Sequence, residues 1–294
     1  MFTVVRRLSE LIRFSHTLFA LPFAMLSAAL AWKREGVFRI LDLIGIVLCM
    51  VFARSAAMAF NRLADRRIDA LNPRTASRHL PAGTLSVAMV AIFTVICSVG
   101  FVGATTMFLL REEPNYWPLY LSGPVLAFIC LYSLTKRFTA LAHFWLGASL
   151  MLAPVSAWIA IRGLQDMVAP LLIGCAVLCW VSGFDILYAC QDADFDRRAK
   201  LHSVPARIGI HMSLRLALAC HVLMIGVLTA LYLTTPEMGL VFLIGMIAVG
   251  LLLAYEHWLV RPDDLTRVNR AFFQVNVVIS VGLLVLVLVQ LAVL

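Results

Sequence analysis

Nine separate apolar runs, each close to the length that crosses a bilayer, constrain this chain more than any other feature. They lie near residues 17–35, 40–60, 85–109, 117–134, 139–161, 168–190, 211–233, 237–257 and 271–293. A spanning helix needs roughly 20 apolar residues. In lipid a backbone amide finds no water, so a spanning segment is a helix or a strand of a closed barrel. These runs lack strict alternation and are too long for barrel strands. The 294-residue chain is 62% apolar and only 14% charged, against about 25% charged in a soluble domain. The same composition excludes disorder. The expected fold class is all-α: a polytopic membrane protein with about nine transmembrane helices.

The formal net charge is +8. On a soluble chain that would point to nucleic acid. Here the positive-inside rule accounts for it, and no nucleic-acid partner is expected. One set of connections carries Arg6, Arg7 and Arg13, then Arg62, Arg66, Arg67, Arg74 and Arg78, then Lys136 and Arg137. It continues with Arg197, Arg198, Lys200 and Arg207, and ends with Arg261, Arg267 and Arg270, 17 cations in all. The other set has five: Lys33, Arg34, Arg39, Arg111 and Arg162. This split places the N-terminus and the loops 61–84 and 191–210 in the cytoplasm, and the C-terminus outside a bacterial-type inner membrane. Residues 1–14 read as an amphipathic helix lying on the membrane surface. Leu21-Pro22-Phe23 breaks the first run and argues against a cleaved signal peptide. The seven cysteines all lie in or at the ends of apolar runs and read as small apolar filler. His143, His211, His221 and His257 share no metal-ligand spacing and read as packing or interfacial residues.

Six of the ten aspartates fall in two windows, 61–69 and 185–196. Each window continues an apolar run at its cytoplasmic end. Residues four apart share a helix face, so Asn61, Asp65 and Asp69 are expected to stack on one face. Tyr188, Asp192 and Asp196 are expected to do the same, with Asp185 one turn deeper. Like charges at this spacing repel, and ionisable groups at membrane depth cost a few kcal/mol or more each. Mg²⁺ takes oxygen ligands, typically one or two carboxylates with substrate phosphates and water. Two such clusters can hold Mg²⁺ on a diphosphate, with neighbouring arginines and lysines on the remaining phosphate oxygens. Pairing of each aspartate with a nearby arginine is the structural alternative. Arg54, about two turns inside the second run, needs an anion partner, either a substrate or a structural carboxylate.

These residues resemble the UbiA superfamily of intramembrane prenyltransferases. Asn61-x-x-x-Asp65-x-x-x-Asp69 is similar to its first metal motif and Asp192-x-x-x-Asp196 to its second. Asn72-Pro73-Arg74-Thr75 through Arg78-His79-Leu80-Pro81-Ala82-Gly83 is similar to the loop after the first motif, although many members have proline where His79 stands. Tyr132-Ser-Leu-Thr-Lys136-Arg137 resembles the segment after the fourth helix. His16-Thr17 through Pro22-Phe-Ala resembles the first helix of the quinone-pathway members. The closest motifs are those of 4-hydroxybenzoate polyprenyltransferases. Asp185-Ile-Leu-Tyr-Ala-Cys-Gln-Asp also resembles members of the futalosine route to menaquinone, which use a naphthoate-type acceptor.

The resemblance implies a single transmembrane domain over 1–294, its helices around a central cavity, with Mg²⁺ as cofactor. A polyprenyl diphosphate and a small aromatic acid are the implied substrates, for ubiquinone or menaquinone biosynthesis, and the lipid bilayer is the third partner. It implies Asn61, Asp65, Asp69, Asp192 and Asp196 as metal ligands, directly or through water. Arg54, Arg62, Arg74, Arg78, Lys136, Arg137 and Lys200 are candidates for the diphosphate or the acceptor carboxylate. Asp185, Tyr132 and Tyr188 are candidates for the cavity, the tyrosines as π faces for an allylic cation. Phe60 and Phe184 share that possibility, and Thr75 and Ser203 are candidate caps. An ion-coupled secondary transporter is the competing class. It predicts carboxylates near the bilayer midplane on broken helices, whereas these cluster at helix ends on one side.

Overall fold

A computed structural model of the chain describes residues 2–12, 20–261, 265, 268 and 274–293. Arg13, His16, Thr17, Arg267 and Arg270, used above, lie outside the described residues. The helices are α1 (Phe2–Leu11), α2 (Leu21–Glu35), α3 (Ile40–Leu71), α4 (Val87–Thr105), α5 (Trp117–Thr135), α6 (Ala142–Arg162), α7 (Val168–Ala189), α8 (Ala193–Arg198), α9 (Val204–Thr234), α10 (Leu240–Leu259) and α11 (Asn276–Val293). Among the described residues, eight helical segments are long and apolar enough to cross a membrane, and no strand occurs. The first predicted run appears as the 15 residues of α2. The chain is an all-helical integral membrane protein.

The described residues form two compact units, one within 1–17 and 39–134, the other within 18–38 and 135–294. In the first unit α3 packs along α4. The unit's buried ion pair, Arg111 to Asp42 at 3.3 Å, closes the start of α3. Its other end is held by α1, whose Leu11 and Ile12 are buried with Ala59, Leu85 and Val90. Arg7 donates to the Thr84 carbonyl at 3.0 Å. Part of the amphipathic face expected on the membrane surface is therefore spent on protein.

In the second unit α7 is central, packed between α6 and α9, and α2 packs on α6. Ser27 donates to the Pro154 carbonyl at 2.7 Å and ties α2 to α6. Gly183 has no side chain because His221 of α9 occupies that space. A chain of buried polar groups runs through this interior. Trp180 Nε1 donates to Asn276 Oδ1 at 2.6 Å, and Asn276 Nδ2 donates to Glu256 Oε1 at 3.1 Å. His221 and His257 share a hydrogen bond at 2.9 Å. Hydrogen bonding of this kind is how polar groups are tolerated away from water.

Two helix boundaries differ from expectation. Loop 61–84 is helical as far as Leu71, because α3 runs on past its apolar stretch. Loop 191–210 is mostly helical: a 3-10 turn at Cys190–Asp192, then α8, then the start of α9. Ser203 caps α9 by accepting from Ala206 N at 3.3 Å. A kink at Gly209, with φ 78°, separates the first turn of α9 from its long apolar stretch. That conformation is open to glycine without steric cost.

At the end of α2 and α6, away from the second acidic motif, Arg34 grips Glu237 through two bonds of 2.7 and 3.0 Å. Arg34 and Arg162 both lie over the Trp158 ring, 5.4 and 5.8 Å from its centroid. The Arg34 hydrogen bonds hold the Glu237 carboxyl below its usual range. A depressed carboxyl contributes stability above its unfolded pKa, near 4.3, and loses it as pH falls through the folded value. Glu237→Gln is therefore expected to lower the stability of the solubilised protein by about 1 kcal/mol at neutral pH. The difference from wild type should vanish in acid, below both values. Thermal melts across pH check this, and a gap that persists in acid contradicts it.

Candidate active site

The first acidic motif occupies the last three turns of α3. Asn61 Nδ2 donates to Asp65 Oδ2 at 3.0 Å, and Arg62 Nη1 donates to Asn61 Oδ1 at 3.1 Å. The asparagine thus spaces a cation from a carboxylate four residues on. Asp69 is buried, and both of its oxygens accept from Arg78 Nη1, at 2.7 and 2.8 Å. The loop after α3 makes this pair possible. Thr75 Oγ1 donates to the Asp69 carbonyl at 3.0 Å, and Asn72 Oδ1 accepts from Arg74 N at 3.0 Å. These bonds close the open end of α3 and bring the chain back so that Arg78 reaches Asp69. Arg62, Arg74 and Arg78 line one cavity of about 220 Å³ with Glu10 and His79.

Arg54 lies seven residues before Asn61 and eleven before Asp65, on the same face of α3, because both intervals are close to whole turns. It is half-buried, and its Nε is shut off from solvent without a hydrogen-bond partner.

The second motif departs from the expected single helical face. The 3-10 turn at Cys190–Asp192 advances about 120° per residue rather than 100°. Over three residues this rotates Asp192 and Asp196 by roughly 60° relative to Tyr188. Asp192 and Asp196 are both buried. The Asp196 Oδ2 atom is buried and has no hydrogen-bond partner. Asp194, by contrast, faces outward and pairs with Arg197 at 3.2 Å. Asp185 and Tyr188 are the only positions between Cys179 and Cys190 on α7 that are not buried, so this part of the helix opens along one stripe.

Lys136 and Lys200 come from connections that touch. His202 N donates to the Lys136 carbonyl at 2.7 Å. Lys200, at φ 55°, lines an open cavity of about 590 Å³ with Arg197, His202, Arg207 and the exposed Phe138. Arg137 is exposed, and Tyr132 is half-buried. Among the described residues no three His, Cys, Asp or Glu side chains form a ready metal cluster.

Sequence reasoning missed one partner. His143, read as a packing residue, is fully buried and lies 2.7 Å from Asp185 Oδ2 through Nδ1. The two residues are 42 positions apart, and no local pattern joins them.

A polytopic helical membrane protein whose acidic motifs and basic side chains sit at helix ends has the layout of an intramembrane enzyme acting on an anionic lipid. The UbiA prenyltransferase family model matches residues 20–278, and the chain belongs to that family. It is 32% identical over 251 residues to a 4-hydroxybenzoate octaprenyltransferase of Marinobacter nauticus, covering 84% of this chain and 82% of that one. A second such enzyme, from Tolumonas auensis, is 30% identical over 241 residues, covering 81% and 79%. Among solved structures, a UbiA homolog from Aeropyrum pernix K1 matches with a TM-score of 0.79 at 27% identity, covering 95% of this chain and 97% of that one. A UbiA homolog from Archaeoglobus fulgidus bound to DMAPP and Mg²⁺ has the same fold, with a TM-score of 0.74 at 18% identity, covering 98% and 100%.

The Asp69–Arg78 pair gives a direct test of this loop. Arg78 is partly exposed, so removing it strands the buried Asp69 carboxylate at a cost of about 2 kcal/mol. Arg78→Met should destabilise the purified protein by that order, and adding Asp69→Asn should recover most of the loss. Equal melting temperatures for the single and double variants would contradict the pairing.

Proposed function

We propose that this chain is a Mg²⁺-dependent aromatic polyprenyltransferase that moves an isoprenoid chain from a polyprenyl diphosphate to an aromatic acid such as 4-hydroxybenzoate, in ubiquinone or menaquinone biosynthesis. Family membership and the named activity of the relatives support the reading. The observation that carries it is the unpartnered Asp196 Oδ2. A buried carboxylate oxygen with no donor can take a cation; Glu256 Oε2 is also without a hydrogen-bond partner, but Asp196 Oδ2 is the one that belongs to an Asp motif. A hard divalent ion that needs only one or two carboxylates, with phosphate and water for the rest, suits these donors.

In this reading Asn61, Asp65, Asp69, Asp192 and Asp196 hold Mg²⁺, directly or through water. Bound Mg²⁺ supplies charge neutralisation for the departing diphosphate. Arg62, Arg74, Arg78, Lys136, Arg137 and Lys200 bind the remaining phosphate oxygens or the acceptor carboxylate. Arg54 is the strongest candidate for that carboxylate. Its Nε is stranded, and it lies about 10 Å deeper along α3 than Asn61, away from the polar end. Tyr132 and Tyr188 offer π faces to the allylic cation. Helix walls facing lipid keep out the water that would quench it. The two compact units serve one catalytic domain, as the family match across both supports. The 17-to-five division of cations supports a cytoplasmic N-terminus and active-site loops, with the C-terminus outside.

The test is mass spectrometry of product from purified protein, Mg²⁺, a short allylic diphosphate and a panel of benzoate and naphthoate acceptors. Prenylated acceptor is expected. Asp65→Ala and Asp192→Ala should each abolish it while the protein still inserts; near-normal turnover in both removes the metal reading. Arg54→Met, Lys136→Ala and Arg137→Ala test acceptor recognition. A variant lacking a carboxylate contact should lose more with an acidic acceptor than with a neutral phenol. Equal losses in all three argue against carboxylate recognition.

A further inference from the structure

The His143–Asp185 pair has a geometry that fixes the tautomer of His143. The His143 ring is fully buried. Its Nε2 accepts from the backbone N–H of Val204 at 3.3 Å. A backbone N–H can only donate, so Nε2 must present its lone pair. The ring proton therefore sits on Nδ1 and is donated to Asp185 Oδ2 at 2.7 Å. Val204 is the first residue of α9, and its N–H is one of the donors that a helix start leaves unbonded. His143 thus joins α6 to α7 and to the start of α9, just after the second acidic motif.

Asp185 is the other half of the argument. Its side chain retains 16% exposure, against 0% for His143. It shares the open stripe of α7 with Tyr188, one turn nearer the acidic motif. A carboxylate on an apolar helix is expensive unless it is used. His143 occupies Oδ2 with its hydrogen bond. Oδ1 is left as the oxygen able to take a proton. The reaction proposed above requires such an acceptor. The bond between the allylic carbon and the diphosphate oxygen breaks, and the electron pair leaves with the diphosphate. A ring carbon of the acceptor forms the new carbon–carbon bond, and the proton on that carbon must depart to restore aromaticity.

We infer that Asp185 takes this ring proton and that His143 is the positioning residue that holds it ready. The inference rests on the aromatic prenyl-transfer reading. It is tested with the full-length protein in detergent, using acceptor with and without deuterium at the attacked ring carbon. Wild type is measured first and should turn over without a ring isotope effect. Absence of any prenylated aromatic product there removes the function reading and this inference with it. His143→Leu deletes both hydrogen bonds. It should lower kcat about 10–100-fold, as misplacement of a reacting group does, leave the acceptor KM near wild type, and introduce a ring isotope effect. His143→Gln, whose amide can donate to Asp185 and accept from Val204, should restore kcat and remove the isotope effect. A folded His143→Leu with wild-type kcat, or with reduced kcat and no isotope effect, overturns the proposal while leaving the function reading intact. Should His143→Leu fail to accumulate, Asp185→Asn with His143 retained decides. It should lose about 10²–10⁴ in kcat, the range for removal of a general base, and show the isotope effect. Wild-type kinetics in Asp185→Asn overturn the proposal.

Discussion

A charge inside a bilayer needs a partner, and that requirement orders this molecule more than any packing detail. Backbone groups meet it by forming helices. Side chains meet it pair by pair. Asp42 has Arg111, Asp69 has Arg78, Glu237 has Arg34, and Asp185 has His143. Around the buried Glu256 the partners are neutral dipoles as well, in the run from Trp180 through Asn276. Each of these bonds offsets a desolvation cost larger than the bond itself adds to stability. Losing one partner is therefore far more damaging than never having built the pair.

Several buried polar atoms lack a hydrogen-bond partner, Glu256 Oε2 and Arg162 Nε among them, and two of them lie on or near the acidic motifs. Asp196 Oδ2 and Arg54 Nε are each shut off without a hydrogen bond. One is an oxygen within an acidic motif, and the other is a guanidinium nitrogen on the helix face that carries the other motif. Their signs complement two charged species of the proposed reaction, Mg²⁺ for the carboxylate and an aromatic carboxylate for the guanidinium. An enzyme that prepares donors and acceptors before substrate arrives bears that cost in the empty state and regains it on binding.

Much of this was legible in the sequence because membrane burial writes itself into composition. Apolar runs marked the helices, since nothing else of that length is stable in lipid. Asn61, Asp65 and Asp69 could be placed on one face because α3 continues unbroken to Leu71. Tyr188, Asp192 and Asp196 could not. Whether a helix tightens into a 3-10 turn depends on how its end is satisfied by neighbours, and that is a tertiary matter. The role of His143 was hidden for a related reason. Its partners, Asp185 and the Val204 N–H, are 42 and 61 positions away, and a buried histidine in an apolar run has the same sequence signature whether it packs or positions. Thr75 and Ser203 were readable because capping is local: each closes a helix end within a few residues of itself.

Part of the irregular backbone falls where the chemistry is proposed. The 3-10 turn at Cys190–Asp192, the left-handed Lys200 and the kink at Gly209 follow one another within 20 residues of α7's end. An uninterrupted helix would carry Asp192 and Asp196 onward along the stripe of Asp185 and Tyr188, stacking three carboxylates on one face. The 3-10 turn removes that alignment and lets Asp196 be buried while Asp194 turns outward to Arg197. The capped start of α9 then returns the chain so that Val204 can bond His143. Regular helices supply the span and the water-free walls. The breaks in them decide which carboxylate is paired with a donor and which, in the proposed reading, is left for a cation.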